Sequence, residues 1–276
     1  MSREKKGELI KSSPCKIAVS KACGISHKNI YYATIQEQKD LQLKAKIEAV
    51  HKLHPAYGHT RLALELGVGH NRVLRVMHKY GIRPPRRRAK KLFTTRSVSN
   101  HSYTNLIRKL TVRRPHQVWA SDLTYIKYYG KFIYLATVKE LFTREILSAR
   151  VGSQDNADLA LAAIKAAVAN TGTKPEIFHS DQGSEYMAGA CTGYLESLNT
   201  KISVSDKGSP WQNPYQESFF DKFKLEVGDL QRFETQAELV EEIYSYIHYY
   251  NNYRIHTMLK TPPQKFSENY LNISGT

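Results

Sequence analysis

The chain has 276 residues, 41% of them hydrophobic, with 18 tyrosines; that is enough for one sizeable folded domain plus a smaller one, and it excludes a disordered chain. The net charge of +16 is lopsided: residues 1–115 hold 26 Lys+Arg against 6 Asp+Glu, a net of +20, and residues 116–276 hold 15 against 19, a net of −4. Three unpaired cysteines (Cys15, Cys23, Cys191) argue against a disulfide framework, no apolar run of about 18 residues predicts a membrane span, and the N-terminus does not read as a signal peptide.

In chain order, residues 15–33 read as a short helix, a turn at Gly24 and a second helix after Ser26, either a partial helix-turn-helix or a plain helical hairpin. A better-formed unit follows over residues 35–92. Leu43, Ile47, Val50 and Leu53 keep helical spacing, Thr60–Leu66 continues, and Gly67-Val-Gly69 makes a turn. Asn71–Tyr80 then sets Val73, Leu74 and Met77 on one face and Arg72, Arg75 and Lys79 largely elsewhere, with Gly81 and Pro84-Pro85 ending the helix. Three short helices with a basic last one read as a DNA-binding trihelical fold or as a bundle with a solvated basic face. Arg61, Arg72, Arg75 and the run Arg86, Arg87, Arg88 are its candidate phosphate contacts, and a basic linker occupies 93–115.

From Gln117 the pattern changes to strands. Gln117–Lys127, Phe132–Val138, Glu145–Val151, Glu176–Ser180 and Lys201–Val204 are predicted strands, with helices over 155–170 and 189–198 between them. The order implies a mixed five-stranded α/β sheet with helices on its faces, over residues 116–230, whose ligands gather at strand ends. A C-terminal helical segment occupies 231–276.

Three acids stand out by context. Asp122 lies in the strand Trp119-Ala-Ser-Asp-Leu-Thr-Tyr-Ile126, Asp181 ends the strand Ile177-Phe-His-Ser-Asp before a turn at Gly183, and Glu217 opens an amphipathic helix. Carboxylates held together resist joint ionisation, which a divalent cation relieves. Oxygen-only ligands suit Mg²⁺ or Mn²⁺, and two such ions support in-line displacement at phosphorus. Other acids, Asp155, Asp158 and Asp206 among them, read as ordinary surface groups. His51, His54 and His59 with Cys15 and Cys23 match no common zinc spacing.

In the helix bearing Glu217, Asn213 reads as N-cap, Pro214 as first helical residue and Gln216 as the capping-box partner. Phe219, Phe220, Phe223 and Val227 form one apolar stripe, and Glu217, Asp221 and Lys224 lie on the adjoining face. Lys224 either meets a DNA phosphate or pairs with Asp221.

At these residues the chain resembles DDE transposases with an integrase catalytic core, specifically the second-reading-frame product of bacterial insertion sequences of the IS-three family. The matching stretches are Tyr57-Gly-His-Thr-Arg61, Arg72–Met77, Trp119–Tyr125, His179-Ser-Asp-Gln-Gly-Ser-Glu-Tyr186, Glu217-Ser-Phe-Phe220 with Lys224, and Tyr250-Asn-Asn-Tyr-Arg-Ile-His256. The resemblance implies a ribonuclease-H-like core preceded by an all-α helix-turn-helix domain, with Asp122, Asp181 and Glu217 as catalytic metal ligands for two Mg²⁺ (or Mn²⁺) ions. It implies cleavage of double-stranded DNA at transposon ends and transfer of the freed 3′-hydroxyl. Expected partners are transposon-end and target DNA, further copies of the chain in a homo-oligomer, and an upstream-frame protein or fusion; the expected location is the bacterial cytoplasm at the nucleoid. Arg254 and His256 match a C-terminal motif, either functional or packed on the core. Gln212-Asn213-Pro214 departs from the family's usual Asp-Asn-Ala. The alternatives are a transposition repressor or accessory subunit that is inactive alone, and a ribonuclease H-type nuclease.

Overall fold

The computed structural model describes residues 3–85, 103–206, 209 and 212–274, and the chain divides into two compact units, 1–84 and 85–276. Among the described residues no helix is long and apolar enough to cross a membrane.

The first unit is all helical: α1 (Arg3–Ser12), α2 (Lys16–Cys23), α3 (His27–Leu53), α4 (His59–Leu66) and α5 (His70–Lys79). Periodicity does not mark α1, because Ile10 is the one deeply buried side chain among its described residues and lysines and glutamates fill most of the rest. Helix α1 precedes the α2–α3 turn, where Gly24 adopts a left-handed φ of 68°. The helices expected on either side of residue 34 are one: α3 runs through it, since Ala33-Thr-Ile-Gln-Glu-Gln-Lys-Asp40 holds no Gly or Pro to stop it. Leu43 and Ile47 of α3, Leu62 of α4, and Val73, Val76 and Met77 of α5 share the apolar interior. Val76 takes the place expected for Leu74, which is only partly buried.

The second unit centres on a five-stranded sheet of order β3-β2-β1-β4-β5, with β1 (Val118–Tyr128), β2 (Lys131–Glu140), β3 (Ile146–Gly152), β4 (Ile177–Ser180) and β5 (Lys201–Val204). The first three strands pair antiparallel, and β4 and β5 run parallel to β1. Tyr129 and Gly130, both at positive φ (41° and 78°), make the two-residue turn of the β1–β2 hairpin. Alternate residues feed two cores. Trp119, Ala136 and Val138 face α6 (Ala157–Thr171), α7 (Ser184–Met187) and α8 (Gly189–Ser197). Ile126, Ile133 and Leu135 face α9 (Pro214–Val227) and α10 (Gln236–Asn252).

Two expected boundaries do not separate independently packed pieces. The described end of the linker lies on the core: Leu106 N–H donates to Ser203 Oγ at 2.9 Å, and Ile107, Leu110 and Val112 pack against Val118, Ala120 and Leu141. Likewise α10 buries Leu239, Ile243, Tyr246, Ile247 and Tyr250 in the core it shares with α9, and Phe266 and Tyr270 of α11 (Pro263–Ser274) contact Phe142.

Candidate active site

The parallel register of β1 and β4 aligns Val118 with Ile177 and Ala120 with His179. Carried two residues further along each strand, it brings Asp122 level with Asp181, on strands about 4.8 Å apart. For β4 this is the carboxyl end, where such sheets place their ligands, while β1 continues past Asp122 to Tyr128.

Asp122 is half-buried, and its Oδ1 accepts the Leu123 N–H at 2.8 Å. Burial first, then the Asp181 charge, pushes its pKa up to about 8. Asp181 stands at the open rim, its Oδ1 accepting from Gly183 N–H at 3.0 Å. The protein packed around it and the Asp155 charge raise its pKa. Glu185, on α7, is raised by burial, Asp181 and Asp155. Asp155 and Glu185 were not marked by local sequence. Asp155 is 26 residues before Asp181 and meets it only because the β3–α6 connection returns to the same end of the sheet. Behind the acids, His179 is held between Ser203 Oγ (2.9 Å) and Ser205 Oγ (3.1 Å); burial lowers its pKa to about 4, so it is neutral and gives the acids no counter-charge.

Helix α9 is clamped onto the sheet beside Asp122. Gln216 Nε2 donates to the carbonyls of Ala120 (2.6 Å) and Thr137 (3.2 Å), and Asn213 Nδ2 donates to Ser121 O at 3.2 Å. These two residues were expected to cap the helix, but Asn213 makes no side-chain cap bond and both instead satisfy sheet carbonyls. Pro214 does sit at the helix start, and Phe219, Phe220, Phe223 and Val227 are buried. Lys224 Nζ donates to Thr124 Oγ1 at 2.7 Å, lies 5.4 Å from the Tyr125 ring and puts its charge near Asp122.

Glu217 is exposed on the first turn of α9. The structure thus brings Asp122, Asp181 and Lys224 together with Asp155 and Glu185. It does not gather Glu217 with the two aspartates: among the described residues no three His, Cys, Asp or Glu side chains are close enough to hold a metal ion. The donor chemistry nonetheless fits a divalent cation. Asp122 resists ionisation beside Asp181, and a cation of oxygen-loving character removes that resistance.

The remaining candidates are dispersed. Arg254 is fully buried and gives Nε and Nη2 to the carboxylate of Glu226 at 2.7 and 2.6 Å, a contact within the core. His256 N–H closes a bridge with Thr261 O at 3.0 Å, and burial, then the positive charges around it, lower its pKa to about 3. In the first unit, Arg75 is bound bidentately by Asp40 (2.7 and 2.6 Å) with its side chain still 48% exposed. Arg72 is exposed, on a groove it shares with Gln36, Lys39 and Arg75, and Arg61 lies over the Tyr57 ring at 5.5 Å. Arg86, Arg87 and Arg88 lie outside the described residues.

A mixed sheet of this order, with one acid inside its first strand and another just past the end of its fourth, covered by helices on both faces, is the ribonuclease-H-like architecture of integrase cores. Residues 112–210 and 198–263 both match the integrase core domain family. The chain is 33% identical, over 83% of its length and 94% of the relative's, to the transposase of insertion sequence element IS904 from Lactococcus lactis. It is 31% identical, over 87% of its length and 94% of the relative's, to a 31 kDa protein of insertion element IS600 from Shigella sonnei. A simian T-cell lymphotropic virus intasome chain shares 16% identity with a TM-score of 0.49, over 79% of this chain and 73% of that one. The chain belongs to the insertion-sequence transposases with an integrase core domain, and its function is DNA transposition.

Proposed function

We propose that the chain cleaves double-stranded DNA at the ends of an insertion sequence and joins the freed 3′-hydroxyl to another strand, with Asp122, Asp181 and Glu217 holding two Mg²⁺ or Mn²⁺ ions. The observation that supports this is the β1–β4 register, which continued by two residues puts Asp122 level with Asp181, whose charge acts on it. When bound, the ions supply activation of the attacking oxygen and stabilisation of the leaving one. The chain's own residues do the placing. Asp122, within β1, and Asp181, just past β4, are short side chains that hold position; in this reading Glu217 is the third ligand, contributed from α9. The clamp of Asn213 and Gln216 on Ala120, Ser121 and Thr137 fixes the height of α9 against β1. In this reading Lys224, which donates to Thr124 Oγ1 and puts its charge near Asp122, meets the phosphate being attacked.

The helical unit and the basic run Arg86–Arg88 supply affinity for DNA ends, with Arg72 and Arg61 in contact with phosphate. Cutting two ends together calls for a homo-oligomer on DNA, and an upstream-frame protein or fusion supplies further end recognition. The test is strand cleavage and joining by the purified chain on labelled DNA carrying its own element's ends, with Mg²⁺ or Mn²⁺. Asp181→Asn is expected to keep DNA binding and lose both reactions; unimpaired cleavage by that variant would falsify the assigned triad.

A further inference from the structure

Helix α9 has two polar flanks beside its apolar stripe. Glu217, Asp221 and Lys224 lie on one; Tyr215, Ser218 and Lys222 lie on the other, at helical spacing. The second flank meets a concentration of positive charge. Lys139, buried near the end of β2, donates from Nζ to Tyr215 O at 3.2 Å and lies 5.6 and 5.4 Å from the Phe219 and Tyr250 rings. Arg144, in the turn between β2 and β3, lays its guanidinium on the Tyr215 ring at 4.3 Å. Arg144, Lys222 and Arg254 put positive charge near His256, while burial and those same cations push the pKa of Lys139 well below the usual lysine range; Lys222 Nζ also donates to Ser218 O at 3.2 Å and to Ser218 Oγ. Glu226 is also on this flank, but its oxygens accept from Arg254 and from Tyr246.

Two details show that this assembly is incomplete by itself. Nε and Nη1 of Arg144 and Nδ1 of His256 are buried without a hydrogen-bond partner, a costly state for polar groups. Arg144 also has a φ of 69°, left-handed backbone that a side chain disfavours. The turn holds it there: Glu140 accepts from the N–H and hydroxyl of Thr143 and from the N–H of His116. Positive charge gathered around the unmade donors of the Arg144 guanidinium, with backbone strain at the same residue, forms an arrangement that an oxyanion completes.

We propose that Arg144, Lys222 and His256, with Lys139 buried behind them, form a phosphate site on the flank of α9 away from Glu217, and that it takes a backbone phosphodiester of the DNA strand. The choice of a DNA strand rests on reading the other flank as the cleavage site. A helix with its side chains is about 10–12 Å across, and a strand advances about 3.4 Å per nucleotide. A strand crossing the first two turns of α9 therefore reaches both flanks within a few nucleotides, and the cationic flank fixes its direction across the carboxylates.

The test is DNA binding by the full chain, titrated against salt in an Asp181→Asn background so that cleavage does not intervene. Arg144→Gln and Lys222→Gln are each expected to lower the slope of log affinity against log salt by about one, the signature of one lost phosphate contact. Arg144→Gly guards against misfolding, because it removes the charge while suiting the positive φ. An unchanged slope in folded Arg144→Gly and Lys222→Gln overturns the proposal. So does a saturable rise in melting temperature with inorganic phosphate that Arg144→Gln abolishes while DNA binding is unaltered, since that marks a site for the free ion. Cleavage by wild type against Asp181→Asn is scored separately, so failure of the triad is not mistaken for failure of this site.

Discussion

Asp122 is a carboxyl that the fold makes difficult to ionise, and this has a measurable cost. Its pKa is raised to about 8 against an unfolded value near 3.9. The sign follows: a raised carboxyl pKa destabilises the folded state increasingly as pH climbs from about 4 to 8, because folding there favours a bound proton. Asp122→Asn is therefore expected to stabilise the metal-free protein at pH 7–8 by about 1 kcal/mol or more, roughly 2–4 °C in Tm for a unit of this size, while strand cleavage is lost. Calorimetry in chelator measures it, and a lower Tm than wild type would refute the account. Arg254 is the converse case, a buried charge with its partner in place. Removing either side alone, by Arg254→Ala or Glu226→Gln, strands or unbalances a buried group and is expected to cost about 3–5 kcal/mol. Arg254→Lys is not expected to rescue it, since one ammonium cannot reproduce the two-point contact at Nε and Nη2. Urea unfolding followed by tryptophan fluorescence gives both values.

At the scale of elements, the joint between α3 and α5 is electrostatic as well as apolar. Asp40 of α3 is buried; Arg75 of α5 holds its pKa well below the usual carboxylate range, aided by hydrogen bonds from Lys79 and Gln36. A depressed carboxylate stabilises the fold above its unfolded pKa of about 3.9, and that contribution is lost as pH falls below it. Helical circular dichroism is thus expected to show the first unit loosening in acid below about pH 4. Asp40→Asn should cost about 2 kcal/mol at neutral pH and flatten the acid dependence; an unchanged acid profile would remove Asp40 from this role. Much at this scale was legible in the sequence, because strand alternation and the Tyr129-Gly130 turn are local signals. The contexts of Asp122 and Asp181 were legible for the same reason. What was not legible was long-range: Arg75 with Asp40, Arg254 with Glu226, Asp155 with Asp181, and the use of Asn213 and Gln216 as a clamp instead of a cap. Each depends on which backbone group a fold brings opposite, and nothing within a few residues encodes that.

The whole molecule is organised as opposite charge in series, a net of +20 over residues 1–115 and −4 over residues 116–276. An acidic catalytic core repels the phosphate backbone it must act on, so binding free energy has to come from the basic part and from cationic patches such as that beside α9. Affinity of this origin arises from released counterions and falls steeply with salt. If the chain neutralises about 6–10 phosphates, binding should weaken by about 10³–10⁵ between 50 and 200 mM salt. Within that total, Arg72→Gln, at an exposed helix position, is expected to weaken all DNA sequences alike and lower the slope by about one. Asp181→Asn should not weaken binding, since it removes negative charge from the acidic end of the sheet. Fluorescence anisotropy on labelled duplexes across a salt series separates these contributions. A slope that Arg72→Gln leaves intact would move the DNA contact of the first unit to another face.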